Sequence, residues 1–307
     1  MSQQILVTGA GGFVGSAIAE ALAGAGRSVL AIDMALDAPT CDRLASARMI
    51  EAPLPGGLDR LSDAAPDAVV HAAAITADPA RLQMTRARHI HDNTALLLGT
   101  LDWARAKGAR RFVFLSSSGV FGVATGPDPV DEGARAGATD PYSAAKRAGE
   151  ILLSGAAEPG FETLSLRLGP VFGPHEAARP TRPTLSPVAR MIAAARATGE
   201  IMVTTPDARR DWTYLPDIAR AVTLMLGQTG PLPPLLHLTS GRAVSDLELA
   251  QAIADRLPGT RVRATPDAGG HGARPAMVSR VASPLDSFDW TSLEMALEAL
   301  LPTEAPA

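Results

Sequence analysis

The sequence predicts an α/β fold in which helices cover both faces of a parallel β-sheet. Short runs rich in β-branched residues alternate with Ala- and Leu-rich stretches of helical period, a pattern typical of repeated strand–helix–strand units. The run Phe112–Leu115 is apolar on both faces, as expected of a central strand that helices cover on both sides. A glycine-rich run also joins the first strand to the first helix.

The first half of the chain contains most of the predicted sheet. Its elements are strand Gln4–Thr8, a helix from Phe13, strands Ser28–Asp33, Arg48–Glu51 and Ala68–His71, helix Ala87–Lys107, strand Arg111–Leu115, helix Tyr142–Leu153 and strand Glu162–Arg167. Parallel strands need a connection long enough to cross back over the sheet, and the intervening helices supply it. We therefore expect one doubly wound parallel sheet.

The composition changes after Arg167, where prolines interrupt the chain. Prolines stand at 170, 174, 180, 183 and 187, and the same segment contains Arg179 and Arg182, so we expect a loop over a site. Further helices are predicted near Pro187–Thr198, Leu215–Gly227, Asp246–Arg256 and Ser292–Leu300. We interpret residues 1–167 as the first domain and residues 168–307 as mainly a smaller substrate-binding lobe, interleaved with the end of that domain.

Composition restricts the classes of partner. The chain has 307 residues, of which 46% are hydrophobic, so a substantial core is expected. A net charge of −4 with mixed signs gives no broad positive field for nucleic acid or an anionic membrane, so we expect a small-molecule partner. Cys41 is the single cysteine, which fits a reducing compartment. No apolar run approaches the ~20 residues of a membrane span, and we expect a cytoplasmic protein.

The run Thr8–Gly15 predicts a dinucleotide-binding loop. Its glycines at 9, 12 and 15 allow a tight turn, close approach of the backbone to a pyrophosphate, and close packing of helix on strand. The helix that follows presents free N–H groups to the anion. Asp33 ends the second strand, where a carboxylate can accept hydrogen bonds from the adenosine ribose hydroxyls and would repel a 2′-phosphate. The sequence therefore favours NAD over NADP.

Tyr142 and Lys146 are the candidate reactive pair. They are four residues apart in a predicted helix and therefore share one face. An ammonium beside a phenol stabilises the phenolate, which allows such a tyrosine to exchange a proton with a substrate hydroxyl. A third hydroxyl is expected from Ser116, Ser117 or Ser118 at the end of the fifth strand. Side chains alternate along a strand, so Ser117 faces opposite to the other two, and one of these faces must border the cleft.

Together these motifs resemble the extended short-chain dehydrogenase/reductase family, the NAD-dependent epimerase/dehydratase group. The resemblance runs from Gln4 to about Ala299. It depends on an ordered series: Thr8–Gly15, Asp33, His71–Ala74, Asn93, Ser116–Gly122, Tyr142 with Lys146, Arg167–Pro174, Arg210–Asp217 and Arg274-Pro275. It implies a Rossmann-type fold, NAD as cofactor, and a homodimer packed through the Asn93 and Tyr142 helices.

The resemblance also implies roles for individual residues. Tyr142 would be the acid/base, Lys146 would hold the nicotinamide ribose, and Ser117 would be the catalytic hydroxyl. The implied cofactor-binding residues are Gly9, Gly11, Gly12, Phe13, Val14, Gly15, Asp33, Leu54, Ala72, Ala73, Ala74, Asn93, Ser116, Tyr142, Lys146 and Leu168. The expected substrate-binding residues are Ser117, Ser118, Arg179, Arg182, Arg210 and Arg274. Four guanidiniums near one cleft favour an anionic substrate.

Departures from the family pattern bear on the reaction. Dehydratases of the family carry Asp-Glu after the catalytic hydroxyl, and the residues here are Ser118-Gly119. Sugar-nucleotide epimerases usually have an asparagine that touches the diphosphate, and the corresponding residue here is Pro170. We expect no metal site, since His89 and His91 lie on different faces of a helix and His175-Glu176 lacks the second histidine of a zinc-protease motif.

Three functions follow as hypotheses. The first is an NAD-dependent dehydrogenase that oxidises a secondary alcohol of a sugar, sugar acid or similar anionic polyol. The second is a nucleotide-sugar epimerase with tightly held NAD, which would use the same catalytic residues. The third is a catalytically silent NAD-binding protein, against which the intact Ser117, Tyr142 and Lys146 argue. Cofactor turnover separates the first two.

Overall fold

Seven parallel strands form the central sheet in the computed structural model of the protein, which describes residues 3–123, 128–179, 182–265 and 275–302. The strands are β1 (Gln4–Thr8), β2 (Ser28–Asp33), β3 (Arg48–Glu51), β4 (Ala68–His71), β5 (Arg111–Ser117), β6 (Glu162–Leu168) and β11 (Leu235–Leu238). Their order across the sheet is β3, β2, β1, β4, β5, β6, β11. This confirms the Rossmann-type doubly wound sheet that the sequence predicts.

Eight α-helices occur in the described part of the chain. They are α1 (Phe13–Gly24), α2 (Ala38–Arg43), α3 (Arg86–Ala106), α4 (Pro141–Ala156), α5 (Pro187–Thr198), α6 (Leu215–Leu226), α7 (Asp246–Ala254) and α8 (Leu293–Leu300). Seven of these helices were predicted, and their bounds agree to within three residues; α2 was not predicted. None of the helices described combines the length and apolarity that a membrane crossing requires.

The two faces of the sheet are covered by different helices. Apolar residues of α1 and α6, such as Ile18 and Val222, pack on one face, and those of α3 and α4, such as Leu97 and Leu153, pack on the other. Because both faces are covered, the central strands are apolar throughout, and residues 5–7 of β1 are fully buried. This explains the continuous hydrophobic runs of the sequence.

Residues after β6 contribute both to the central sheet and to a separate lobe. Strand β11 extends the sheet beside β6, and α6 packs beside α1. The lobe has its own core, built by α5, α7 and α8. Its short strands are β7 (Val171–Phe172), β8 (Glu200–Val203), β9 (Arg209–Arg210), β10 (Thr213–Tyr214), β12 (Val244–Ser245) and β13 (Arg261–Ala264), paired as β7–β10, β8–β13 and β9–β12.

Candidate active site

One cleft runs along the carboxyl ends of the central strands, where the chain order of the sheet reverses between β1 and β4. In open α/β sheets this is the place where ligands bind. The predicted site residues that line it are Gly9, Gly12, Phe13, Val14, Gly15, Asp33, Leu54, Ala72, Ala73, Ala74, Ser116, Ser117, Tyr142, Lys146, Leu168, Arg179 and Arg182. Residues within β2, β5 and β6 and in the segments that follow β1, β3 and β4 therefore line a single cavity.

The turn between β1 and α1 requires glycine at several positions, of which 9 and 15 are two. Gly9 has φ +69°, and a Cβ there would lie 2.5 Å from the backbone nitrogen of Ala73. A Cβ at Gly15 would overlap the carbonyl oxygen of Gly9. Gly11 does not line the cleft; its N–H donates to the Asp33 carboxylate at 2.9 Å. The turn is thus held close to both neighbouring strands.

The beginning of α1 is left available for an anion. Its N-cap is Gly12, which has no side-chain acceptor, and its first turn contains no acidic residue. Six other helices are capped by a serine, threonine or aspartate side chain that accepts a backbone N–H: α2, α3, α4, α5, α7 and α8. The unsatisfied N–H groups and the positive end of the helix dipole suit a pyrophosphate. These residues therefore fit the phosphates of a dinucleotide.

Asp33 stands at the end of β2, in the same cleft. Its Oδ2 accepts from Gly11 N–H and its Oδ1 accepts from Ala35 N–H at 3.3 Å, so the carboxylate is fixed in place. Burial raises the pKa of Asp33 above its ordinary value, and the backbone donors oppose that shift. The position matches the one expected for a carboxylate that binds the adenosine ribose.

Lys146 is buried beneath Tyr142 on α4. Asp140 caps this helix by accepting from Ser143 N–H at 3.0 Å, which places Tyr142 in its first turn. Lys146 Nζ donates to the Leu115 carbonyl at 2.7 Å and lies 5.7 Å from the centroid of the Tyr142 ring. Burial lowers the pKa of Lys146 to about 7, although the Glu150 carboxylate opposes this shift. The pair therefore has the one-face arrangement that the spacing predicts.

The three serines after β5 have different surroundings. Ser117 lines the cleft, and its Oγ accepts from Gly119 N–H at 3.0 Å. Ser116 also borders the cleft, but its hydroxyl donates to Glu150 at 2.5 Å. Ser118 is only 2% exposed and does not line the cavity, so the structure does not support the expected substrate contact. Of the three serines, Ser117 is therefore the best candidate for contact with a substrate, because it lines the cleft and the Ser116 hydroxyl is bound to Glu150.

A buried ion pair beneath the site was not among the sequence predictions. Glu150, one turn after Lys146, accepts two hydrogen bonds from the Arg167 guanidinium at 2.8 and 2.7 Å. The side chains are 5% exposed for Arg167 and 10% for Glu150. The i+4 spacing of Glu150 from Lys146 places it on the same face of α4, and this spacing was a signal that could have identified it.

Asn93 is placed differently from the expectation. Both of its amide groups bind backbone: Oδ1 accepts from Ile75 N–H at 2.9 Å, and Nδ2 donates to the carbonyls of Ile75 and His89. It does not line the cleft, whereas Ile75 does. Asn93 thus holds the segment after β4 that lines the cleft, and it does not line the cleft itself.

The arginines expected to bind substrate do not converge. Arg210 forms a two-pronged ion pair with Asp246, at 2.8 and 3.0 Å, and does not line the cleft. Arg274 lies outside the described residues. Arg179 pairs with Asp37 and Arg182 pairs with Glu176, although both arginines line the cavity. Since carboxylates pair with these three guanidiniums, the arginines do not by themselves require an anionic substrate, and the charge of the substrate stays a prediction.

Several lining residues were not predicted. They are Met34, Ile75, Thr76, Leu96, Leu115, Gly169, Val171 and Ala177. Met34, Ile75 and Gly169 directly follow a predicted residue, and Leu115 directly precedes one, so chain adjacency was the available signal for these four. Leu96 is different, because it comes from one turn after Asn93 on α3 and reaches the cleft from the side.

Comparison with known proteins identifies the family. Residues 5–234 match the model of the NAD dependent epimerase/dehydratase family. The chain belongs to this family. It is accordingly an NAD-dependent enzyme of the extended short-chain dehydrogenase/reductase type, and the donor set around the beginning of α1 fits that cofactor.

Curated relatives in this family act on nucleotide sugars, as their names state. A UDP-glucose 4-epimerase of Corynebacterium glutamicum is 30% identical over 236 residues, which cover 73% of this chain and 70% of the relative. A dTDP-4-dehydro-6-deoxy-D-allose reductase of Streptomyces bikiniensis is 29% identical over 265 residues, covering 81% and 79%. The family thus includes relatives with and without a net redox reaction.

Solved structures support the fold. A UDP-glucose 4-epimerase from Thermotoga maritima superposes with a TM-score of 0.80 at 23% identity, over 97% of this chain and 98% of that one. A UDP-N-acetylglucosamine 4-epimerase from Methanobrevibacter ruminantium gives 0.81 at 22% identity, over 97% and 98%. At such identities the likeness establishes the architecture, and the reaction has to be argued from the site.

Proposed function

We propose that the protein oxidises a secondary alcohol of a sugar-type substrate and releases the reduced cofactor, as an NAD-dependent dehydrogenase. The observation that carries this proposal is that Ser117, Tyr142 and Lys146 line the same cleft as the glycine turn. When bound, NAD accepts a hydride at C4 of its nicotinamide ring. Oxidation of the alcohol also requires removal of the proton of its hydroxyl group, and side chains of the protein carry out this step.

The phenol oxygen of Tyr142 takes that proton as the general base. Lys146 lies beneath the ring, and in its charged form it stabilises the phenolate that has to form before the transfer. The Ser117 hydroxyl donates a hydrogen bond to the reacting oxygen of the substrate and stabilises the charge that develops on it. The apolar walls supplied by Leu96, Leu115 and Leu168 limit the access of water.

The residue at 170 favours the dehydrogenase over an epimerase. Pro170 has neither a backbone N–H nor a side-chain amide, so it cannot donate a hydrogen bond to a substrate diphosphate. Its carbonyl accepts from Thr213 N–H at 3.0 Å, which fixes the segment between β6 and β7. A diphosphate contact common among epimerases of the family is therefore missing.

A specific observation also favours the second candidate, a nucleotide-sugar epimerase. The relative at 30% identity over 73% of this chain is a UDP-glucose 4-epimerase. An epimerase would use the same Tyr142 and would return the hydride to the opposite face of a transient ketone. Both candidates share every catalytic group named here.

The absorbance of the reduced nicotinamide separates these reactions. The purified protein is incubated with excess NAD and a panel of free sugars, sugar acids and nucleotide sugars, and products are analysed in parallel. Growth of the reduced-nicotinamide band that requires Tyr142 supports the dehydrogenase. Product formation with flat absorbance would establish the epimerase. Absence of product with every substrate class, despite NAD binding, would contradict both.

A further inference from the structure

Two arginines of the proline-rich segment lie over the cofactor half of the cleft. Arg179 and Arg182 are joined by reciprocal backbone hydrogen bonds, from Arg179 N–H to the Arg182 carbonyl at 3.0 Å and from Arg182 N–H to the Arg179 carbonyl at 2.9 Å. This pairing fixes the two residues side by side, so that a contact made by one restrains the other. We call them the arginine pair.

The guanidinium of Arg182 lies against the phosphate-binding turn. It is 4.8 Å from the centroid of the Phe13 ring, and Phe13 is the first residue of α1. Its NH2 group binds the Glu176 carboxylate, which also accepts two hydrogen bonds from Ser186, each at 2.7 Å. Glu176 is therefore a fixed support that points the guanidinium at the beginning of the helix.

One nitrogen of the Arg182 guanidinium has N–H groups that no acceptor satisfies in the part of the chain that the structure describes. Arg182 NH1 is buried and has no hydrogen-bond partner among the residues that the structure describes. A buried donor without an acceptor is unfavourable. The guanidinium lies against the ring of Phe13, the first residue of α1, and the uncapped N-terminus of this helix is itself electropositive. Both features are satisfied by an anion between them. The pyrophosphate of NAD is the anion that this helix terminus is suited to bind.

Arg179 ties the arginine pair to the adenosine end of the cleft. Its NH2 group donates to Asp37 Oδ2 at 2.7 Å and to Thr40 Oγ1 at 3.3 Å. Asp37 caps α2, the helix that follows the Asp33 strand. The pair thus bridges from the proline-rich segment to the elements that surround the ribose-binding position.

The catalytic candidates lie farther along the sheet. Ser117 ends β5, and β4 stands between β5 and β1, which precedes Phe13. Two strand spacings correspond to about 10 Å. The contacts of the arginine pair are therefore with the β1 and β2 side of the cleft, away from the end where a substrate hydroxyl would react.

We propose that Arg182 binds the pyrophosphate of NAD and that Arg179 anchors it to α2, so that the proline-rich segment holds the cofactor instead of the substrate. The segment follows β6 in the chain, and it reaches back over the dinucleotide. Cofactor retention is then coupled to the position of this segment. Arg182 acts as a cofactor-binding residue, and Arg179 and Glu176 act as positioning residues.

Calorimetric titration of nucleotide-free protein tests this proposal without any substrate. The variant Arg182→Met is compared with the native protein and with Arg196→Met, an exposed arginine of α5. The ligands are NAD, ADP-ribose and adenosine. Loss of a charge-assisted hydrogen bond is expected to weaken NAD and ADP-ribose by about ten- to a hundredfold, and to leave adenosine within about twofold. The control should bind all three ligands as the native protein does.

Unchanged NAD affinity in Arg182→Met would overturn the proposal, and so would an equal loss for adenosine. If this variant fails to fold, Arg182→Lys carries the test, because it keeps the charge and loses the planar fork. It should weaken ADP-ribose severalfold and spare adenosine, and an unchanged affinity would again overturn the proposal. Because no substrate is present, the outcome is independent of the reaction proposed above.

Discussion

Asn93 binds both polar backbone groups of Ile75, accepting from its N–H at 2.9 Å and donating to its carbonyl at 3.2 Å. The two residues belong to different elements, since Asn93 is on α3 and Ile75 is in the loop after β4. One side chain therefore fixes the loop that lines the cleft. This is a positioning role. A substitution at a positioning residue should change the stability of the apoprotein as well as its affinity for NAD, whereas loss of a direct contact should change the affinity alone.

We expect Asn93→Ala to lower both the stability of the apoprotein and its affinity for NAD. Two partly buried backbone groups of Ile75 lose their partners, and this should destabilise the fold by about 1 kcal/mol or more. The NAD dissociation constant should rise roughly severalfold because the loop is less ordered. Denaturant unfolding and calorimetric titration measure the two effects. Thr94→Ala is the control, since the Thr94 hydroxyl donates within its own helix, to the Ile90 carbonyl. A weaker NAD affinity with unchanged apoprotein stability would indicate direct contact instead.

Lys146 should make the stability of the apoprotein depend on pH in a defined direction. Its pKa is about 7 in the folded protein because of burial, against about 10.4 in an unfolded chain. Between these values the unfolded state binds a proton that the folded state lacks, so this contribution to stability rises with pH from about 7 to about 10. The unfolding free energy of the native protein, measured relative to that of Lys146→Met, should therefore rise by about 2 kcal/mol between pH 7 and pH 9.

Unfolding free energies of both proteins at several pH values measure this difference. The chain's other lysine provides the control, because Lys107→Met makes the same chemical change where Nζ donates to the Ser62 carbonyl near the surface. Its difference from the native protein should stay nearly constant. A difference for Lys146→Met that is flat or falls with rising pH would show that burial does not disfavour the charged ammonium.

The fold and most of the residues that line the cleft could be predicted from the sequence, because both depend on local patterns. Strand and helix periods are set by neighbouring residues, and the glycine turn, Asp33 and the Tyr142/Lys146 spacing each lie within one short segment. Arg210 could not be assigned in this way. Its partner Asp246 is brought to it by the antiparallel pairing of β9 with β12, which joins segments distant in the chain. A sequence motif identifies an arginine, but the pairing of distant strands determines which carboxylate lies beside its guanidinium.

The same limit applies to the arginine pair. Sequence position placed Arg179 and Arg182 in a loop near a site, and this was sufficient to mark them as ligand-binding candidates. The folded chain brings them to Phe13 and Asp37, more than a hundred residues earlier. These contacts are the reason to propose that the arginine pair binds the cofactor and not the substrate.

Asp33 should control the choice between NAD and NADP. A carboxylate held by Gly11 N–H and Ala35 N–H cannot move away from a 2′-phosphate, so charge repulsion disfavours NADP. Asp33→Asn keeps an oxygen acceptor for Gly11 and removes the charge. We expect the ratio of NADP to NAD dissociation constants to fall by about tenfold or more. Asp42→Asn, an exposed site on α2, is the control for net charge. Equal affinities for the two cofactors in the native protein would remove the argument.

Tyr142→Phe should abolish turnover and leave cofactor binding nearly intact. The substitution keeps the ring that lies 5.7 Å from Lys146 Nζ and removes only the phenol oxygen. General acid–base groups contribute about a hundredfold to ten-thousandfold to a rate, and here the lost group is also the one that Lys146 supports, so we expect a loss near the upper end. Steady-state rates with the best substrate of the panel, together with NAD titration, measure both quantities.

The matched control is the chain's other tyrosine. Tyr214 packs against Phe172 in the smaller lobe, at 5.6 Å between ring centroids, and does not line the cleft. Tyr214→Phe should therefore retain near-native turnover, which separates loss of the reactive phenol from a general sensitivity of the fold to tyrosine substitution. If Tyr142→Phe turns over at a rate comparable to the native protein, another group must carry the proton. Ser117 would then be the next candidate, since its hydroxyl lines the same cleft.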